Sequence, residues 1–198
     1  MEVSSELVRE LREKTGAGML DCKKALVAAQ GNIEKAIIAL REKGLASAEK
    51  KSGRATKEGL VNAYIHGNGR IGVLIEVNCE TDFVSRNEKF QQMVKDIAMH
   101  VAALNPRYVS SDEIPQELKD AEMAIYRTQA AESGKPANII EKMVEGRYKK
   151  FCDEVCLLSQ PYVKNPEQTV LDYVKENISV IGENISVRRF VRWQLGEK

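Results

Sequence analysis

The sequence predicts an α+β fold: an N-terminal module of three short helices, then a three-stranded antiparallel sheet backed by helices, with a helical hairpin projecting from the core. Three observations carry this. Three amphipathic stretches with glycine stops precede residue 45. Two β-branched runs flank Gly67-Asn68-Gly69-Arg70, and a third apolar run, Ile185–Leu195, alternates with a period of two.

Ser4 or Ser5 caps the first helix, which carries Leu7, Val8 and Leu11 on one face until Thr15-Gly16-Ala17-Gly18 breaks it. The second runs from about Met19 to Ala29 and stops at Gly31. Asn32 caps the third, where Ile33, Ala36, Ile37 and Leu40 recur at helical spacing and Gly44 marks the end. Residues 1–44 thus form a helical module of the ubiquitin-associated type, too small to hold much core by itself. Residues 45–57, rich in Ala, Lys and Ser, are expected to be a linker, in part helical, and residues 58–198 the core.

Leu60–Ile65 and Ile71–Val77 are strands, and the Asn-Gly between them signals a hairpin. After Cys79-Glu80-Thr81-Asp82-Phe83 comes a helix with Phe90, Met93, Val94, Ile97, Val101 and Leu104 on its apolar side, Asn87 as N-cap and Pro106 beyond its end. Two polar helical stretches, about 112–132 and 137–155, joined by Ser133-Gly134-Lys135-Pro136, form the antiparallel hairpin. Gln160-Pro161-Tyr162 and Asn165-Pro166 are expected to be loop, and Thr169–Asn177 a short helix. In the last strand Arg189 is the misfit among Ile185, Val187, Val191, Trp193 and Leu195. Phe190 points to the opposite face, so both faces have apolar surface to bury.

Composition narrows the function. At 198 residues and 43% hydrophobic content the chain can bury a core, and a net charge of +1 is far from the strongly basic balance of a nucleic-acid binder. Met1–Glu6 has no basic and then apolar character, so no signal peptide is expected, and no apolar run is long enough to span a bilayer. The cysteines, Cys22, Cys79, Cys152 and Cys156, make no C-x-x-C pair and are expected to be reduced thiols in a cytoplasm.

The chemical motifs are weak. Gly67-Asn68-Gly69-Arg70-Ile71-Gly72 matches G-x-G-x-x-G, but a strand follows it where a dinucleotide site needs a helix. Gly16–Lys24 lacks the phosphate-loop pattern. His66 and His100 stand apart, and Cys152 and Cys156 lack a second half to complete a metal site. No nucleophile is paired with a base, so no catalytic residue, metal or cofactor is expected. Lys50, Lys51, Arg54 and Lys57 form a solvated tether or a nucleic-acid patch, the latter weakened by the lack of an interleaved aromatic. Asp82-Phe83, at a strand-to-helix junction, is either a presented anchor with a polar companion or a staple packed beneath the helix.

Longer blocks say more. Leu11–Leu26, with its core Thr15-Gly16-Ala17-Gly18-Met19-Leu20-Asp21-Cys22, and Glu76–Val84, with Cys79-Glu80-Thr81-Asp82-Phe83-Val84, resemble the two signature segments of the elongation factor Ts family. Ile97–Ala102, Ser133–Pro136, Lys142–Arg147, Gln160–Tyr162 and Ile181-Gly182-Glu183-Asn184-Ile185 are similar to further blocks in the same order. The resemblance implies a guanine nucleotide exchange factor of translation elongation, not an enzyme, acting on the GTPase elongation factor Tu. By that resemblance, Met19 and Leu20 dock on the G domain while Asp82 and Phe83, with Thr81 and Val84 beside them, wedge between two of its helices. His66 and Ile181 match positions of the same contact, and Val163 matches a further partner-contact region. The wedge disturbs the Mg²⁺ and phosphate site and releases GDP. The family's long form carries two sheet subdomains; this chain has one set of strands and resembles the short form, in which two copies pair through their sheets.

Three other readings differ in class. A ubiquitin-associated-like adaptor would need only residues 1–44. An RNA-associated translation protein would bind RNA through Lys50–Lys57 in a salt-sensitive way. A nucleotide-using enzyme would bind GDP or NAD by itself. The expected partners are elongation factor Tu and a second copy of the chain, without direct nucleic acid or membrane contact.

Overall fold

A computed structural model describes residues 3–197. The chain divides into two compact units. The first comprises the residues up to Asn62, Glu76–Lys95 and Asp172–Val187; the second comprises Ala63–Ile75, Asp96–Leu171 and the residues from Arg188 onward.

In the first unit, helix α1 (Ser5–Thr15) starts where the Ser4 hydroxyl accepts the Leu7 N–H at 3.3 Å, and stops at Gly16, left-handed at φ 66°. Helix α2 (Met19–Ala28) follows. Asn32 Oδ1 accepts the Lys35 N–H at 2.9 Å and opens helix α3 (Ile33–Lys51). The three helices share a small core of Val8, Leu11, Cys22, Ala25, Leu26 and Ala36.

One expectation changes here: Gly44 does not end the third helix, and α3 continues to Lys51, into the segment expected to be in part helical. The reason is packing. Gly44 is buried, and a Cβ there would lie 2.8 Å from the Ser179 hydroxyl, so glycine serves close approach to helix α8 (Val170–Ile181). Ion pairs from Arg41 to Glu176 (3.4 Å) and from Lys175 to Glu49 (2.9 Å) flank that approach. Lys50 and Lys51 sit in the last turn of α3, where cations complement the helix dipole.

Strands β1 (Glu58–His66), β2 (Ile71–Cys79) and β5 (Ile185–Gln194) make one antiparallel sheet with β2 in the centre. The β1–β2 turn uses left-handed backbone at Gly67, Asn68 and Gly69, closed by the Arg70 N–H on the His66 carbonyl at 3.1 Å. A one-turn helix α4 (Asp82–Ser85) precedes α5 (Glu88–Leu104), whose start is tied by Asn87 Oδ1 to the Lys89 N–H. Phe90, Met93, Val94, Ile97 and Val101 are fully buried, as their spacing implies. Leu104 departs from that stripe and is exposed, because it is the final residue of the helix.

In the second unit, α6 (Gln116–Ala131) and α7 (Ala137–Val155) form the expected helical hairpin. Each begins immediately after a proline, Pro115 and Pro136, so the first helix starts later than residue 112. Arg127 bridges to Glu141 at 2.9 Å, and Ile114, Cys152 and Cys156 form a core with Tyr108, Tyr148 and Phe151. Gln160–Pro166 is not simply loop: β3 (Pro161–Tyr162) and β4 (Asn165–Thr169) pair antiparallel as a second sheet. The last helix, α8, correspondingly starts at Val170 and runs to Ile181, beyond the expected 169–177.

The strict alternation expected along 185–195 does not hold. Ile185 and Val187 are buried, but further along the half-buried residues are Phe190 and Arg192 while Val191 and Trp193 are exposed. The phase of burial therefore switches between Val187 and Phe190, around Arg188-Arg189. Arg188 and Arg189, both exposed, occupy the switch, and Arg189 shares its phase with the exposed Val191 and Trp193.

Candidate partner-docking site

Two groups of the expected site residues lie in the first unit. Met19 and Leu20 occupy the first turn of α2 and point outward, Leu20 at 64% exposure. Cys22, Ala25 and Leu26 on the same helix are buried, so α2 is apolar on two faces. A helix of a monomer normally solvates one face; here Val27 extends the exposed row, flanked by Lys23 and Lys24.

The second group centres on α4. Phe83 is 80% exposed, the most exposed large apolar side chain among the described residues, whereas Val84 beside it is buried. The reading of Phe83 as a staple beneath the helix is thereby excluded: Val84 anchors the turn and Phe83 projects. Asp82 pairs with Arg86 at 2.9 Å, and the Ser85 hydroxyl donates to the Asp82 carbonyl at 2.8 Å. The Cys79 thiol donates to the Thr81 carbonyl at 3.1 Å; burial, followed by the Glu183 charge, pushes its pKa up to about 11, so the proton stays on sulfur.

The turn is held from afar. Glu183 takes the Thr81 N–H on one oxygen (3.0 Å) and the Thr81 hydroxyl on the other (2.7 Å). In return Glu80 accepts the Asn184 N–H at 2.6 Å. Ile181 ends α8, and Gly182, left-handed at φ 94°, turns the chain back so that residues 183 and 184 meet residues 80 and 81. Glu80, Glu183 and Asn184 were assigned no role from sequence. The only available signal was a carboxylate in each of two short blocks, and their partners lie about a hundred positions away.

His66 and Val163 belong to the second unit. His66, at the end of β1, is exposed; its Nδ1 lies 3.0 Å from the Tyr64 hydroxyl and the two rings stack. Val163, exposed, follows β3 and is held by His100: the Val163 N–H donates to His100 Nδ1 at 3.1 Å. The proton of the neutral ring therefore sits on Nε2 and donates to Gln160 Oε1 at 2.9 Å, while the Gln160 amide donates to the Glu154 carbonyl.

Burial lowers the His100 pKa, opposed by the Gln160 hydrogen bond. The sign follows. The unfolded chain protonates this histidine near about 6.5, the folded chain only at lower pH. Stability from this group is complete above that value and declines as pH falls through it, with a limiting slope of about 1.4 kcal/mol per pH unit. His100→Asn should show a flatter decline in melting temperature between about pH 7 and 5 than the unsubstituted protein; parallel curves would remove His100 as the source.

No group of three or more His, Cys, Asp or Glu side chains converges among the described residues, and no helix among them is long and apolar enough to cross a membrane. An exposed aromatic on a fixed turn and a second apolar row on a small helical module are surface features of the kind that protein interfaces use. Comparison with known proteins specifies the family. A family model described as elongation factor TS matches residues 20–197. Elongation factor Ts of Carboxydothermus hydrogenoformans is 59% identical over 195 residues, covering 98% of this chain and 90% of the relative. Elongation factor Ts of Caldanaerobacter subterraneus subsp. tengcongensis is 58% identical, covering 98% of both, and that of Geobacter sulfurreducens is 57% identical over 197 residues. The chain belongs to the elongation factor Ts family, whose role is nucleotide exchange in translation elongation.

Proposed function

We propose that this protein binds elongation factor Tu loaded with GDP and drives GDP out by inserting Phe83 into the G domain. No covalent bond is made or broken. The observation that carries the reading is the exposure of Phe83 on a turn otherwise anchored by Val84 and Thr81. The exposed ring contributes little to folding, whereas desolvated aromatics are the strongest anchors of protein interfaces. The three-helix module of ubiquitin-associated type, expected at residues 1–44 and with its third helix running on to Lys51, is the docking arm, with Met19 and Leu20 at the contact. Asp82 accompanies the wedge, Thr81 and Val84 support it, and Ile181, His66 and Val163 extend the contact.

The wedge acts on the elements of the GTPase that hold Mg²⁺ and the phosphates, and GDP weakens because phosphate sites depend on the cation and on fixed backbone donors. By linkage, factor and nucleotide weaken each other equally. The protein works in the cytoplasm, as a pair of copies joined through their sheets, without touching nucleic acid or membrane.

The test is release of labelled GDP from elongation factor Tu. The protein should accelerate release at substoichiometric amounts, and Leu20→Asp should raise the concentration needed for half-maximal effect about tenfold or more. Unchanged release would dispose of the exchange reading. A Leu20→Asp protein with undiminished potency would remove α2 from the contact.

A further inference from the structure

The α4 turn has Asp82 in its first turn and the Asp82–Arg86 pair as local support but lacks a side-chain N-cap bond. It is one turn long, and an isolated turn has no propagation to offset its nucleation. Thr81 stands at its N-cap but its side chain makes no capping bond to the turn. A threonine there normally accepts a backbone N–H with its hydroxyl. Here the hydroxyl is committed as a donor to Glu183 at 2.7 Å.

The Thr81 N–H goes to the other oxygen of the same carboxylate, and the Thr81 carbonyl takes the Cys79 thiol. The N–H, hydroxyl and carbonyl of Thr81, two residues before Phe83, are therefore all engaged, and two of them by one side chain. The clasp is reciprocal: Glu80 takes the Asn184 N–H at 2.6 Å, and Asn184, 4% exposed, donates its amide to the Ser52 and Arg54 carbonyls at 3.2 and 2.8 Å.

From this geometry we infer that Glu183 is the positioning residue of the exchange wedge: its carboxylate fixes Thr81, the N-cap residue of α4, and so holds Phe83 in the orientation used against the partner, with Glu80 and Asn184 completing the clasp. The inference rests on the proposed role of Phe83 and adds to it. Glu183 need not touch the partner. Without it the turn samples other conformations, and the entropy of ordering it again is charged to each encounter. Docking by α2 is independent of the turn, so the loss appears in the maximal rate of exchange more than in the concentration for half-maximal rate.

The experiment is a double-mutant cycle on catalysed GDP release from elongation factor Tu, with melting temperature measured in parallel. Glu183→Ala should lower the maximal rate about tenfold, the scale of lost hydrogen bonds to a charged group. Glu183→Gln should recover a large part, since an amide can accept the Thr81 N–H on oxygen and donate to the Thr81 hydroxyl, which is also an acceptor. In a Phe83→Ala background, Glu183→Ala should cause little further loss, because it acts through Phe83. Additive losses in the cycle, or wild-type exchange by Glu183→Ala, would overturn the clasp and leave the wedge standing. A Phe83→Ala protein with unimpaired exchange would remove the wedge itself. If Glu183→Ala melts far below the parent, Thr81→Val, which loses only the hydroxyl bond, supplies the same cycle in a milder form and decides it by the same criterion.

Discussion

Phe83→Ala should slow catalysed GDP release about thirtyfold or more while the melting temperature stays within a degree or two of the parent protein. The two halves of this expectation have separate grounds. Phe83 is 80% exposed, so truncation leaves no cavity and removes little buried area. Substitutions at such positions usually change stability by about 0.5 kcal/mol or less. At an interface the same ring would be desolvated, and loss of a central aromatic anchor typically removes about 2 kcal/mol or more, which is the thirtyfold factor. Phe83→Leu should fall between, since it keeps apolar volume without the ring. Stopped-flow release of a fluorescent GDP analogue, with thermal melts on the same preparations, separates the outcomes. Normal exchange by a folded Phe83→Ala protein would end the wedge mechanism. Slow exchange with a collapsed melting temperature would mean that the ring packs in solution.

Much of the architecture was legible because local chemistry and tertiary packing agree. Gly67-Asn68-Gly69 adopts left-handed backbone as its residue types allow, and the apolar stripe from Phe90 to Val101 is buried where helical spacing puts it. Gly44 misleads because glycine has two uses. Sequence suggests a helix stop, whereas the glycine is there to let Ser179 approach, a partner 135 positions away. The β3–β4 pair was missed because Asn165-Pro166 carries turn chemistry and the strands are two and five residues long. The phase switch in β5 was hidden by consecutive arginines, which are compatible with either face of a strand end.

The site was legible in a different sense. Physical reasoning located Asp82-Phe83 at a junction but could not decide between a staple and an anchor. The structure removes the staple, because Val84 takes the buried position that Phe83 would otherwise fill. The Glu183 clasp was out of reach: it joins residues 81 and 183, and no periodicity or spacing connects two segments so far apart. What carried Met19, Leu20, His66, Ile181 and Val163 as candidates was resemblance to the family and not their chemistry.

On the proposed sheet-to-sheet pairing, Trp193→Glu should separate the two copies and lower exchange with them. In the second unit's portion of the sheet, Ile65, Leu74, Val191, Trp193 and Leu195 are all exposed, Trp193 at 61%. Gly72 shares the face of Ile65, for a Cβ on it would sit 3.5 Å from Ile65 Cδ1, and Leu74 is two residues further along the same strand. A row of β-branched residues and leucine with a tryptophan is a surface that monomers avoid and that a second copy of the same face can cover. In a two-fold pair each substitution is present twice. An anchor worth about 2 kcal/mol then shifts the dimer equilibrium by about 4 kcal/mol, close to a thousandfold in dissociation constant, and buried glutamates facing one another add repulsion. Phe190 and Arg192 point away from this face and are half-buried, so Trp193→Glu should leave the fold intact. Sedimentation at micromolar concentration reads the result directly. A parent protein that sediments as a monomer with full exchange activity would dispose of the pairing, and a Trp193→Glu protein that remains dimeric would move the interface to another surface.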